Sequence, residues 1–125
     1  MPQRPPSKTG PICAIGGALL LFAGTWMHPM AADPNVPIAA FTEYAAADYW
    51  VAGHLMQLFG VLSMSAALIL LLRRFYDGRG AELAALASAG LIAATAAAAA
   101  LQAVDGVALR VMVVRWAAAA ASAEE

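Results

Sequence analysis

Two histidines are the side chains whose type and spacing suggest coordination chemistry in this 125-residue sequence. His28 lies in "GTWMHPM" and His54 in "DYWVAGHLM", so each follows a tryptophan and has a methionine within two residues. Imidazoles from neighbouring helices can hold a haem iron axially or supply two ligands of a transition metal. A soft thioether such as that of Met30 suits copper(I). The pattern raises the hypothesis of a haem b or copper site on His28 and His54.

Asp105, in "VDGVALR", is the third candidate ligand, and its carboxylate also suits a partner that orients an imidazole. Met56 is excluded as a companion of His54, because residues two apart point about 200° apart on a helix. Met30, which lies beyond Pro29, is free of that constraint. No set of nucleophile, base and orienting group can be drawn from the sequence, so an enzyme is not expected.

A simpler interpretation of the histidines competes with metal binding and is favoured over it. An imidazole near a membrane surface can form hydrogen bonds with water, a lipid headgroup or a backbone carbonyl. The two interpretations differ in geometry. Imidazole nitrogens that converge would favour a metal, and rings that point in separate lipid-facing directions would exclude one.

The composition indicates a membrane protein. Hydrophobic residues make up 62% of the chain, charged residues only 12%, and the mean hydropathy is +0.72. Soluble proteins average about 45–50% apolar and about 25% charged residues. The net charge of −1 and the lack of a dense basic cluster exclude nucleic acid as a partner. The single cysteine, Cys13, cannot form an internal disulfide and is expected to be a small buried side chain.

About 20 apolar residues suffice to cross a bilayer, and the sequence offers three such segments. They predict an all-α bundle with a tail at 1–10, spans at 11–30, 49–72 and 81–104, and loops at 31–48 and 73–80. The third span is rich in alanine and only marginally hydrophobic. We therefore expect it to pack on a partner through close backbone approach at its small residues, such as Ala87, Gly90, Ala94 and Ala98.

The ends of the spans carry their own signals. Pro29 ends the first helix, because the residue before a proline disfavours helical torsions, so His28 is at or near the last helical residue. The loop at 31–48 has room for a short surface helix that includes Phe41 and Tyr44. Gly106 is expected to break or bend the chain after the third span. Residues 107–121 then form an interfacial helix, with a fourth span as the alternative.

The basic residues predict the orientation in a bacterial inner membrane. Short loops with Lys and Arg stay in the cytoplasm. Arg4 and Lys8 precede the first span, "RRFYDGRG" at 73–80 holds three arginines, and the loop at 31–48 holds no basic residue. The N-terminus is therefore expected in the cytoplasm, and the first loop and C-terminus in the periplasm. We expect Trp26, Trp50 and Trp116 at the outer boundary, where tryptophans prefer to lie. The first apolar run is rather long for a cleaved signal peptide.

Counting residues places both histidines at one depth. His28 is 20 residues from Lys8, and His54 is 19 residues from Arg73. At about 1.5 Å per residue, each ring lies roughly 30 Å from the inner boundary. Gln102 and Asp105 reach a similar level on the third span. The similar surroundings of the histidines thus reflect a shared position at the outer ends of two spans.

The motifs "HP" at the end of the first span, "WVAGH" in the second, and "VDGVALR" with "RW" after the third are similar to those of uncharacterised bacterial multi-span membrane proteins. The resemblance covers most of residues 24–116. It implies that His28, His54 and Asp105 are shared features, and it implies no activity. Members of that group continue into further spans, so the sequence is expected to be a short or truncated member.

The sequence therefore favours a small non-catalytic accessory or structural protein that packs against a second copy or a larger membrane complex. The alternative is a haem- or copper-binding membrane protein that uses His28 and His54 at the periplasmic face.

Overall fold

Three apolar segments form long helices in the computed structural model, which describes residues 8–123. The helices in chain order are α1 (Thr9–Trp26), α2 (Pro37–Ala46), α3 (Trp50–Leu72), a 3-10 turn (Arg73–Phe75), α4 (Ala81–Gln102), a π-helical segment (Ala103–Leu109) and α5 (Arg110–Ser122). No strand occurs within 8–123. Arg4 and most of the tail at 1–10 lie outside the described residues.

The helices are long and apolar enough to cross a membrane, which confirms the predicted class of fold. The candidate spans are Thr9–Trp26, Trp50–Phe75 and Ala81–Ser122. In the most apolar 18-residue stretch of each span, only 6–11% is buried inside the protein. Large side chains such as Phe22 and Leu83, 67% and 74% exposed, cover the outside of the bundle. An exterior of this kind needs a bilayer to cover it.

The observed helix ends differ slightly from the predicted ones at the first span. α1 ends at Trp26 with Met27 as its C-cap, two residues before the predicted position. His28 therefore lies in the turn that follows α1, where its backbone N–H donates to the Thr25 carbonyl. The loop does contain a short helix, α2, which includes Phe41 and Tyr44.

Four glycines bring α1 and α3 into backbone contact. A Cβ added to Gly24 would lie 2.5 Å from the Gly53 carbonyl oxygen, and one added to Gly17 would lie 2.8 Å from the Gly60 carbonyl oxygen. These pairs run in opposite directions along the two helices, so α1 and α3 are antiparallel. We call this contact, formed by Gly17, Gly24, Gly53 and Gly60, the glycine seam. Such close approach is typical of helix pairs in membranes.

Hydrogen bonds between side chains join α3 to the helix that begins at Ala81. Their pairs are His54–Asp105, Gln57–Gln102 and Ser65–Thr95, at 3.1, 3.1 and 2.8 Å. We call this set the polar seam. α3 is the central helix of the bundle, with α1 on one side and α4 on the other.

Most of the small residues singled out on α4 do not pack inside the chain. Ala87, Gly90 and Ala94 are exposed, Ala98 is half-buried, and a Cβ added to Gly90 would meet nothing within 4 Å. Ala84 is the residue of α4 that is buried. Close backbone approach through small residues is thus found at the glycine seam, whereas the face predicted on the third span points outward.

The predicted break at Gly106 is absent. Helical structure continues for 42 residues from Ala81 to Ser122, with a π-helical segment at Ala103–Leu109 in place of a turn. At about 1.5 Å per residue this helix is roughly 60 Å long, twice the hydrocarbon thickness of about 30 Å. One part of it therefore has to extend beyond the bilayer core.

α5 packs against α2 instead of standing alone. The Arg110 guanidinium donates to the backbone carbonyls of Tyr44 and Ala45, the latter at 2.8 Å, and so binds the carbonyl end of α2. Phe41 and Trp116 meet edge to face, with centroids 5.8 Å apart. Both helices thus form a cap over the end of the bundle at which α3 begins, which we call the α2 end.

Candidate metal site

Three candidate ligands converge at the α2 end. His28 lies just after α1, His54 is on the first turns of α3, and Asp105 is in the π-helical segment. One ring nitrogen of each histidine and one carboxylate oxygen of Asp105 all lie within 4.8 Å of one another. The prediction from residue counting, that these side chains share one level, agrees with this geometry.

His54 is held at both of its ring nitrogens. Its Nδ1 lies 2.8 Å from the Trp50 carbonyl oxygen, and its Nε2 lies 3.1 Å from Oδ2 of Asp105. A carbonyl oxygen can only accept, so Nδ1 carries a proton and donates it. The second ring nitrogen, Nε2, shares one proton with the Asp105 carboxylate. The His54 side chain is only 6% exposed, whereas the Asp105 side chain is 40% exposed, so the pair is open on its Asp105 side.

His28 is oriented in the same way. Its Nδ1 lies 2.9 Å from the carbonyl oxygen of Pro29, so that nitrogen is again the donor. Nε2 is then the nitrogen that remains available as a ligand. The centroids of the His28 and His54 rings are 5.5 Å apart. Metal-binding histidines usually donate their second ring N–H to a carbonyl or a carboxylate, and both histidines have that arrangement.

Aromatic side chains form one wall of the site. Trp50 is 2% exposed, and its ring lies 4.7 Å from the ring of His54 and 4.9 Å from that of His28. The Tyr44 ring of α2 also packs against Trp50, at 4.7 Å. Trp50, expected at the outer boundary of the membrane, is therefore buried against the two histidines, and its level in the membrane stays a prediction. Trp26, which is 78% exposed, fits the expected surface position.

Gly106 lets the π-helical segment contact His54 directly. A Cβ added there would lie 2.7 Å from Cβ and 2.9 Å from Cγ of His54. Both atoms are fixed at the root of the side chain, so they cannot move aside without moving α3. The glycine is thus needed for close approach and does not break the helix.

A second polar layer lies one turn deeper in the bundle. The Gln102 amide donates to Oε1 of Gln57 at 3.1 Å, and the Gln57 amide donates to the Thr25 hydroxyl at 3.3 Å. This chain of hydrogen bonds crosses all three long helices. Oε1 of Gln102 is buried without a hydrogen-bond partner.

An open cavity of about 520 Å³ lies beside His28. Its lining consists of Trp26, Met27, His28, Pro29, Glu43, Ala46, Ala47 and Tyr49. Glu43 accepts hydrogen bonds from the backbone N–H groups of Ala31 and Ala32, both at 2.9 Å, and so ties α2 to the loop. His28 therefore connects the ligand cluster with the outer surface.

Two imidazoles and one carboxylate form a ligand set that suits divalent transition metals. Zinc sites with three protein ligands of this kind keep an open position, and iron is held by the same set in other proteins. A tetrahedral ion with bonds of about 2.0–2.2 Å sets its ligand atoms roughly 3.4 Å apart, so a pair of atoms at the 4.8 Å limit has to close by roughly 1.4 Å. Met30 is 76% exposed, and its role as a ligand stays a prediction.

Trp50 and Gly106 are the parts of the site that sequence reasoning missed. The spacing of Trp50 and His54, four residues apart on one helix, is the available signal, because such residues lie on the same face. Gly106 has a weaker signal, its position next to Asp105.

Comparisons of the chain with protein-family models, curated proteins and solved structures find no match. The chemistry of the site is therefore inferred from the geometry of its residues alone.

Proposed function

We propose that this protein is a small metal-binding membrane protein in which His28, His54 and Asp105 hold one divalent transition-metal ion. The observation that carries the proposal is the convergence of three ligand atoms within 4.8 Å. The hydrogen bonds of both Nδ1 atoms to backbone carbonyls support it, because they leave the Nε2 of His28 available, while the Nε2 of His54 is bonded only to Asp105, which is itself the third ligand.

The donor set favours a single ion over a haem. Imidazole nitrogen with one carboxylate oxygen suits zinc, copper(II) or iron(II). A haem held by two histidines needs its porphyrin between the two rings. Here the rings are 5.5 Å apart, and the Nε2 of His54 faces Asp105 instead of the other imidazole. Three protein ligands leave at least one coordination position for water or an exchanging ligand.

The proposed location of the ion is the periplasmic side of a bacterial inner membrane. The site lies at the α2 end, in the region of the acidic loop at 31–48, and the arginines at 73–80 lie at the opposite end of α3. The rule that basic loops stay in the cytoplasm supports this orientation. The site would then exchange ions with the periplasm through the cavity beside His28.

Metal titration of the detergent-purified protein tests the proposal. We expect about one Zn²⁺ or Cu²⁺ per chain by elemental analysis, and roughly 100-fold weaker binding in His28→Ala and His54→Gln, since each removes a ligand. Asp105→Asn should weaken binding about 10-fold or more. The matched control is Asp48→Asn, which changes an exposed carboxylate outside the cluster.

Helix content and thermal unfolding of every variant separate a lost ligand from a lost fold. Wild-type protein that binds no stoichiometric metal, or folded variants that bind like wild type, would overturn the proposal. A Soret band in the visible absorption spectrum would show that the bound group is a haem and not a single ion.

Cysteine labelling tests the orientation independently of the metal. Cys13→Ser removes the single native thiol, and Asn35→Cys or Gly78→Cys then adds one at either end. The added Cβ at residue 78 meets nothing within 4 Å. A membrane-impermeant maleimide should label residue 35 in intact spheroplasts and residue 78 only after lysis. The reverse pattern would contradict the orientation.

A role as an accessory subunit is the second candidate, and the outward-facing small residues of α4 favour it. Ala87, Gly90 and Ala94 offer a helix surface on which another membrane helix packs closely. Gly90→Leu should then abolish co-purification with a stoichiometric partner or with a second copy.

The matched control for Gly90→Leu is Ala85→Leu. Ala85 is also exposed on α4, but it lies about 140° around the helix axis from Gly90. We expect Ala85→Leu to leave the association unchanged. A wild-type protein that is monomeric and has no partner would contradict this candidate.

A further inference from the structure

One buried residue, Trp50, forms hydrogen bonds with two of the three ligand residues, one through its side chain and one through its backbone. Its indole N–H donates to the backbone carbonyl oxygen of Asp105 at 3.0 Å. Its own backbone carbonyl accepts the hydrogen bond from Nδ1 of His54 at 2.8 Å. Trp50 cannot itself be a ligand, because an indole nitrogen is a donor only.

The Asp105 carbonyl belongs to a segment of unusual helical form. Ala103–Leu109 is π-helical, whereas the helix on either side of it is α-helical. A π-helical turn accommodates additional residues, and such segments occur often at functional sites. A return to α-helix would move Asp105 by one residue position, or about 100° around the helix axis. Its carboxylate would then no longer face His54.

We propose that Trp50 is a positioning residue that holds Ala103–Leu109 in π-helical form and thereby keeps Asp105 at the metal site. This inference rests on the proposed metal-binding function. The indole hydrogen bond fixes the segment at the Asp105 carbonyl, and Gly106, the next residue, lies against His54 on the same helix as Trp50. The two contacts together set the direction of the Asp105 side chain.

Trp50→Phe removes the indole N–H donor but keeps an aromatic ring against Tyr44 and both histidines. We expect Zn²⁺ affinity, measured by competition with a chromophoric chelator, to fall about 10–100-fold, as on loss of other groups that orient metal ligands. The control is Trp26→Phe, at a tryptophan that is 78% exposed, which should leave affinity unchanged.

A double-mutant cycle separates positioning of Asp105 from general structural support. If Trp50 acts through Asp105, Trp50→Phe should change Zn²⁺ affinity less than about twofold when Asp105→Asn is already present, because interacting sites are not additive. The Co²⁺ d–d spectrum of Trp50→Phe should also match that of Asp105→Asn. Additive losses or distinct spectra would overturn the inference.

Deletion of Val104 tests the π-helical segment directly. Val104 is 64% exposed, and the shortened segment can form a continuous α-helix between α4 and α5. We expect Zn²⁺ affinity to fall at least as far as in Asp105→Asn. A deletion variant that keeps wild-type affinity would overturn the inference.

The outcomes distinguish this inference from the proposed function. Unmutated protein that binds no Zn²⁺ would overturn both. If the wild-type protein binds Zn²⁺ and Trp50→Phe binds it with the same affinity, only the role of Trp50 is overturned. The Phe variant and the cycle give a result even if the deletion variant does not fold.

Discussion

The glycine seam and the polar seam hold the same central helix, α3, by different physical means. At the glycine seam, backbones approach so closely that an added Cβ would lie 2.5–3.3 Å from a carbonyl oxygen. At the polar seam, side chains connect the helices through hydrogen bonds of 2.8–3.1 Å. Close backbone packing dominates the first contact, with the Gln57–Thr25 and Ser63–Cys13 hydrogen bonds beside it, whereas the second consists of polar side chains that can also bind a ligand. Two ligands of the candidate site, His54 and Asp105, belong to the polar seam.

The largest effect is expected at the glycine seam. In Gly24→Leu, the new side chain meets the Gly53 backbone, so α1 and α3 have to separate. Overpacking typically destabilises by about 1–3 kcal/mol, and we expect the upper end of this range or more because the obstacle is backbone. Denaturant unfolding in detergent measures it.

Gly16→Leu is the matched control, because a Cβ at residue 16 meets nothing within 4 Å. We expect Gly16→Leu to unfold like wild type. Equal destabilisation by both variants would show that packing at Gly24 does not set the stability of the pair.

A smaller effect on folding but a large effect on the site is expected for Gly106→Ala. The methyl group would lie 2.7 Å from Cβ of His54 and push the segment away from α3. We expect about 1–3 kcal/mol of destabilisation in denaturant unfolding. Zn²⁺ binding, measured by chelator competition, should weaken about tenfold or more because Asp105 moves with the segment.

The matched control for this substitution is Gly90→Ala, at an open position of α4. It should be neutral or stabilising by up to about 1 kcal/mol, owing to the better helix propensity of alanine. Unaltered metal affinity in Gly106→Ala would contradict the close approach of the segment to His54.

A single hydrogen bond of the polar seam should contribute less. Ser65→Ala removes the bond to the Thr95 hydroxyl, and bonds of this kind between membrane helices average about 0.6 kcal/mol. Thermal unfolding of Ser65→Ala, Thr95→Val and the double variant gives the interaction energy.

Ser122→Ala, at an exposed residue whose hydroxyl donates to the Ala119 carbonyl, serves as the control. A loss in Ser65→Ala as large as that in Gly24→Leu would remove the distinction between the two seams.

The smallest effect is expected outside both seams, at Asp33. Its pKa lies below the ordinary value of 3.8 because the backbone N–H of Asn35 donates to the carboxylate, with a further bond from the Asn35 side chain. A depressed carboxyl pKa contributes stability that is present above the ordinary value and lost as pH falls through the lower value. Asp33 is fully exposed, so thermal unfolding should hardly change over that range.

Titration of the Asp33 carboxyl by NMR measures this shift. Asn35→Ala removes only the side-chain donor, so the pKa should rise part of the way towards 3.8. A pKa that does not change in Asn35→Ala would assign the whole shift to the backbone N–H.

Much of the fold follows from the sequence, because apolar runs of about 20 residues predict spans directly. The common level of His28, His54 and Asp105 also follows, since helix rise converts residue number into depth. The π-helical segment does not follow, because an additional residue in a helical turn leaves no pattern that differs from a regular helix. The contacts that depend on this segment cannot be predicted from the sequence either. They are the contact of Gly106 with His54, the hydrogen bond donated by the buried Trp50 indole, and the packing of α5 on α2 through Arg110.

The uninterrupted helix from Ala81 to Ser122 joins α5, which is part of the cap, directly to α4 in the bundle. Because helical structure continues from α5 through Asp105, a displacement of α5 against α2 would also displace the Asp105 carboxylate relative to His54.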